Sequence, residues 1–244
     1  MPMDYLKDIT LHTHGLGIID TVKVTGTNEE TLIDAMSEDR SVIVTAKTKR
    51  PLKEFIGQFG MPNLGKLNVI LGIPEYKEDA KITVTTQTRD NETYPTGLHF
   101  VNKVGDFKND YRFMTAALIN EALKSVKFKG VKWDVEFSPT VQSIQRLKFM
   151  AQANSDENTF VAKTEGGDLK FYFGDHSTHA GDFSFATGIT GKVAKGFHWP
   201  VAVVQSILNL PGDKIYRISD EGATQITVDS GLTVYNYILP AQQK

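Results

Sequence analysis

The chain is 244 residues long, enough for one large domain or two of ordinary size. It has no cysteine, which excludes disulfides, thiol nucleophiles and cysteine-held zinc, and its formal net charge of −2 excludes a uniformly basic nucleic-acid coat. No apolar run approaches the ~18 residues a membrane span needs, and the opening MPMDYLKDITLHTHG lacks the apolar core of a secretion signal, so the expected setting is cytoplasmic with no membrane partner.

In chain order, residues 4–14 read as a short helix with Leu6 and Ile9 on one face and Lys7 and His14 roughly opposite. Three strand-like runs follow, at 18–25, 31–36 and 41–48, rich in Val, Ile and Thr and joined by short polar links. The basic stretch KTKRPLK covers 47–53 and reads most simply as a solvated loop. Residues 54–60 form a further strand, and Pro62 opens a helix at 62–73 whose apolar stripe is Leu64, Leu67, Ile70 and Leu71. Strands at 80–88, 97–103 and 110–114 and a helix at 115–125 complete this half.

Residues 130–137 alternate Val131, Trp133, Val135 and Phe137 with Lys132, Asp134 and Glu136, the period of a half-buried strand. Ser138-Pro139 breaks it and opens a helix at 139–153, with Val141, Ile144, Leu147 and Ala151 on one side, Gln142 and Arg146 pointing away, and Lys148 on the flank. Strands are predicted at 159–164, 168–174, 182–189 and 192–198, a helix at 200–210, and a closing antiparallel meander at 214–219, 223–228 and 232–239.

The halves resemble each other. Phe59-x-x-Pro62 corresponds to Phe197-x-x-Pro200, and Thr21 to Thr159 at the same offset. This predicts an α+β chain of two similar domains, each packing two short helices on antiparallel sheet, with boundaries 1–129 and 139–244 and a connector at 130–138.

Little in the sequence points to catalysis. His12-x-His14, and Asp175-His176 with His179 and Asp182, are partial metal patterns at most. No nucleophile elbow, P-loop or dinucleotide fingerprint occurs in its proper context, so the expectation is a non-enzyme without metal or cofactor. The helices predicted at 62–73, 139–153 and 200–210 carry Lys66, Arg146 and Lys148 and no acid, although acids outnumber bases in the chain. Acid-free helices on an acidic protein suggest a face that meets phosphate.

In FGMPNLGKLNVIL, TLIDAMSEDRSVIVTA, SPTVQSIQRLKFMAQA with TFVAKTEGGDLKFYFGD, and LTVYNYILPAQQK, taken in that order, the sequence resembles the DNA sliding clamps, the polymerase processivity factors that include proliferating cell nuclear antigen. The absence of a strand before the first helix resembles the bacteriophage type, for which the setting would be the host bacterial cytoplasm. The stretch 103–129 falls outside the matched motifs.

The resemblance implies a DNA clamp fold and a ring of six domains, hence a head-to-tail homotrimer around duplex DNA, contacted without sequence recognition. Its partners would be DNA polymerase and an ATP-dependent clamp loader. Lys7, Lys66, Arg146 and Lys148 would face the hole, with Lys192 and Lys195 on the strand before the last helix as further candidates. A partner-peptide pocket would use Trp133 and Val135 of the connector, Tyr237, Ile238, Leu239 and Pro240 of the tail, and Met36 on the rim. The rival readings are a β-rich viral structural or adhesion protein, and a hydrolase built on the cluster at 175–182.

Overall fold

The computed structural model describes residues 3–89, 92–124, 128–175 and 179–242. The chain forms two units, Met1–Lys127 with Ser230–Tyr235, and Phe128–Asp229 with Asn236–Lys244. The 130–138 connector therefore lies within the second unit, and six residues near the C-terminus belong to the first. Among the described residues no helix is long and apolar enough to cross a membrane.

The first unit begins with α1 (Met3–His12), which buries Tyr5, Leu6 and Ile9. The strands β1 (Thr21–Gly26), β2 (Thr31–Met36), β3 (Ile43–Thr48) and β4 (Gly57–Pro62) pair in the order β4-β1-β2-β3. Their alternating burial follows from the period of two: Val22 and Val24, Ile33 and Ala35, Val44 and Ala46 all turn inward. Asn63, in the left-handed region at φ 53°, caps α2 (Leu64–Gly72) by accepting from the Lys66 N–H at 3.3 Å. The helices α1 and α2 pack side by side. A second sheet, β5 (Lys81–Arg89), β6 (Glu92–Val101) and β7 (Lys108–Arg112), leaves β7 at its edge. Thr115 then caps α3 (Ala116–Ala122). Phe59 stacks on Phe113 with centroids 4.4 Å apart, and Phe55 meets Phe59 edge-on at 5.2 Å.

The second unit repeats the plan. After β8 (Val135–Phe137) come α4 (Val141–Ala153), β9 (Thr159–Glu165), β10 (Asp168–Gly174), β11 (Ala180–Ala186), β12 (His198–Pro200) and α5 (Val201–Leu208). The order β11-β10-β9-β12 has the connectivity of β3-β2-β1-β4, and α4 packs on α5 as α1 does on α2. A cluster of Phe160, Phe171, Phe173, Phe183 and Phe185 fills this core, with Phe171 4.3 Å from both Phe160 and Phe185. The meander β13 (Asp213–Ser219), β14 (Ala223–Asp229) and β15 (Thr233–Pro240) follows, with β8 added along β13.

Three expectations need correction. The connector is a strand only at Val135–Phe137, where Val135 pairs with Ile218 and Phe137 with Tyr216, and Trp133 precedes it in irregular chain. The backbone leaves the ladder at Asp134, whose carboxylate accepts the Asp220 N–H at 2.8 Å. The run 192–198 is loop up to His198, because Val193 is pinned to Thr164 and the Ala194 and Lys195 N–H groups to Asp220. The buried stripe of α4 runs through Ser143 and Leu147, not Val141, which is 75% exposed. A capping box between Thr140 and Ser143 sets that rotation. The helix expected at 115–125 is present as α3, which ends at Ala122.

Candidate functional site

Three features bear on function. The first is the outward surface of the helices. Lys7 on α1, Lys66 on α2 and Lys148 on α4 are all exposed. Arg146 is exposed but folded back: its Nη1 donates to the Ser184 carbonyl at 3.2 Å and its guanidinium lies 5.3 Å from the Phe183 ring centroid. Both partners are on β11, so Arg146 clamps α4 to that strand and is less free to reach outward than its helical position suggests. Lys192 and Lys195 are exposed on the loop before β12. The described contacts of that loop go to β9 and to the turn at Asp220, not to α4 or α5.

The second feature is a groove of about 830 Å³ in the first unit around Met36. Its construction starts at Gly60, where a Cβ would lie 2.9 Å from the Ile119 side chain. That missing side chain lets α3 lie directly on β4, while Met114 and Gly60 exchange backbone hydrogen bonds of 2.8 and 3.0 Å. Ala122 and Leu123 thereby form one wall, with Ile18, Ile19, Met36 and Met114 as the apolar lining. The rim is polar. Asp20 accepts the Gly65 N–H at 3.2 Å and stands 3.6 Å from His14. Asp39 accepts hydrogen bonds from Ser37 and Ser41, both at 2.7 Å, which hold its carboxyl below the ordinary aspartate range. The adjacent Arg40 sits in the left-handed region at φ 59° to close that turn. An apolar trough with a fixed polar rim suits a short peptide anchored by apolar side chains.

The third feature is what became of the tail pocket. Tyr237 and Leu239 are fully buried and Ile238 nearly so, because β15 turns them into the core. Val135 is buried as well, so none of these four presents a surface. Trp133, half-buried and stacked on Phe128 at 6.1 Å, and the exposed Pro240 remain accessible. Met36 lies in the first unit and the other six expected pocket residues in the second. The groove residues Ile18, Ile19, Met114, Ala122 and Leu123 were not expected from sequence, since their convergence depends on the non-local seat of α3 on β4.

Among the described residues the metal patterns do not assemble. His12 is 1% exposed, donates or accepts at Asp8 and stacks on Tyr235, whereas His14 faces Asp20. His176 lies outside the described residues, and among those described no group of three or more metal-ligating side chains occurs.

No protein-family model and no curated protein matches the sequence. Solved structures do. The C-terminal region of FEN-1 bound to A. fulgidus PCNA matches with a TM-score of 0.70 at 10% identity, covering 100% of this chain and 97% of that one. PCNA from Thermococcus kodakaraensis matches with a TM-score of 0.67 at 11% identity, covering 97% of each chain. The α+β architecture of paired, helix-backed antiparallel units is therefore that of the PCNA clamps along its whole length.

Proposed function

We propose that this chain is a sliding clamp: three copies close head to tail into a ring around duplex DNA, and the ring tethers the replicative DNA polymerase after an ATP-dependent loader has opened it. The observation that carries the reading is the clamp fold over the full length of both matched structures. Two units per chain and a six-domain ring require a trimer with a heterologous interface. The free edge strands β7 in the first unit and β11 in the second are suited to that join. Apolar side chains stand exposed close by in sequence or packing, Leu118 on α3 at 58% and Phe149 on α4 at 64%.

Lys7, Lys66 and Lys148 supply phosphate contacts inside the ring, with Arg146 positioned mainly as a brace for α4. Such contacts position the duplex without reading its bases. The Met36 groove takes a short peptide from the polymerase or loader, a role supported by the matched A. fulgidus PCNA, which carries the C-terminal region of FEN-1. Processivity then follows from topology, since a tethered polymerase that lets go is recaptured within the same complex. No catalytic step is needed.

Light scattering across dilution tests the assembly, with three times the 27.1 kDa chain mass expected. Retention on circular plasmid, lost when the plasmid is linearised, tests encirclement. A monomer at all concentrations, or equal retention on both plasmids, refutes the reading.

A further inference from the structure

Four cations, Lys47, Lys49, Arg50 and Lys53, fall within KTKRPLK, and no acid occurs from Ser41 to Lys53. A sequence of this kind usually means a solvated loop, but here the backbone is pinned. The Lys49 N–H donates to Leu232 O at 2.8 Å, the Leu52 N–H to Thr31 Oγ1 at 2.9 Å and the Phe55 N–H to Leu52 O at 2.8 Å. Thr48 Oγ1 donates to Arg50 O at 2.7 Å. The Leu52 and Phe55 side chains are buried, and Pro51 fixes the φ just before Leu52. The loop is thus preformed, with its cations outside.

Beside it opens a groove of about 570 Å³, lined by Tyr5, Lys49, Arg50, Lys53, Glu54 and Leu232 among others. Lys47 is engaged by Glu30 at 2.7 Å, whereas Arg50 and Lys53 have no ion pair among the described residues. Tyr5 belongs to the first turn of α1, the helix that exposes Lys7.

We propose that this groove is a second phosphodiester site, holding backbone phosphates of duplex DNA at the N-terminal end of α1. The inference rests on the clamp reading and adds to it a station outside the helix faces. The guanidinium of Arg50 can take two phosphate oxygens in its plane, and Lys53 adds a point charge. An acidic protein segment is the rival occupant. It is disfavoured because such a segment gains affinity from apolar anchors, and the apolar side chains here, Leu52 and Tyr5, are already buried.

The test is fluorescence anisotropy of a labelled duplex with the intact protein across a salt series, for wild type, Arg50→Gln/Lys53→Gln, Lys66→Gln, and Lys77→Gln/Lys103→Gln as a control of equal charge elsewhere in the unit. The Arg50/Lys53 pair is expected to weaken binding several-fold and to reduce the log–log salt slope by about 1 per cation removed, beyond any effect of the control. Because both residues are exposed, thermal melting should be unchanged. An equal loss in the control pair overturns the site. Loss with Lys66→Gln but not with Arg50→Gln/Lys53→Gln overturns the site and leaves the clamp reading standing, and loss with neither overturns both. Tighter binding of labelled polyglutamate than of duplex, abolished by the same pair, assigns the groove to an acidic protein and also overturns the proposal.

Discussion

Tyr235 donates to Asp8 Oδ2 at 2.8 Å, and its ring lies almost parallel to that of His12, 4.6 Å away. Burial pushes the Asp8 carboxyl up, but hydrogen bonds from His12, Tyr235 and Ser230 outweigh it and hold the group below the ordinary 3.8. A carboxyl depressed in the folded state stabilises the fold above its unfolded pKa, and that contribution is lost as pH falls through the folded value. Tyr235→Phe should therefore lower stability by about 1–2 kcal/mol at neutral pH, and the gap from wild type should shrink below pH 3.8, as urea titrations at several pH values will show. Neither member of this contact was legible in sequence, because 227 residues separate Asp8 from Tyr235. Tyr237 and Leu239 show the opposite case: their residue types were legible, but the burial of their side chains was not. Period-two alternation cannot say which face of β15 is the core, and Ile238 is buried beside both neighbours. Leu239→Ser is consequently a stability variant, expected to cost about 3–5 kcal/mol by chemical denaturation, while the exposed Pro240→Ser should leave stability unchanged.

At the scale of elements, the strands and helices were largely readable. Val/Ile/Thr runs separated by polar turns located β1, β2, β9, β10 and β13–β15, and Pro62 and Pro200 marked the approaches to α2 and α5. The rotation of α4 was missed because Val141 reads as core by type, while the capping box that turns Ser143 inward depends on two hydroxyls. The seat of α3 was missed because it needs Gly60, and a glycine in a strand signals close approach without naming what approaches. Gly60→Ala should displace α3 through Ile119 and weaken peptide binding at the Met36 groove. Met36→Glu should weaken the same binding by about 1–3 kcal/mol, measured calorimetrically, by placing a charge in the apolar trough. On the helices, Lys66→Glu with Lys148→Glu should reduce duplex binding and its salt dependence while leaving the assembly state intact.

For the molecule as a whole, the repeat was the most informative signal in the sequence. Thr21 and Thr159 open equivalent strands, β1 and β9, and the two four-strand orders match. The divergence lies in the additions, α3 in the first unit and β8 in the second, which no repeat could announce. If the units join head to tail through β7 and β11, Phe149 stands next to the seam, since α4 packs on β11. Phe149→Glu should then convert trimers to monomers in light scattering without loss of the fold, because a mostly exposed side chain contributes little to the isolated chain.

The outward faces of the helices hold few cations but several amides: Asn68 on α2, Gln142, Gln145 and Gln152 on α4, and Asn209 at the end of α5. An amide can exchange one phosphate oxygen for the next, or for water, at little net cost. Around a duplex, such a lining would act as a low-friction bearing, with retention supplied by closure and not by grip. Single-molecule tracking should then give a one-dimensional diffusion coefficient that changes on the order of twofold or less between 50 and 200 mM salt, a range over which a protein gripping many phosphates loses about a thousandfold or more in affinity.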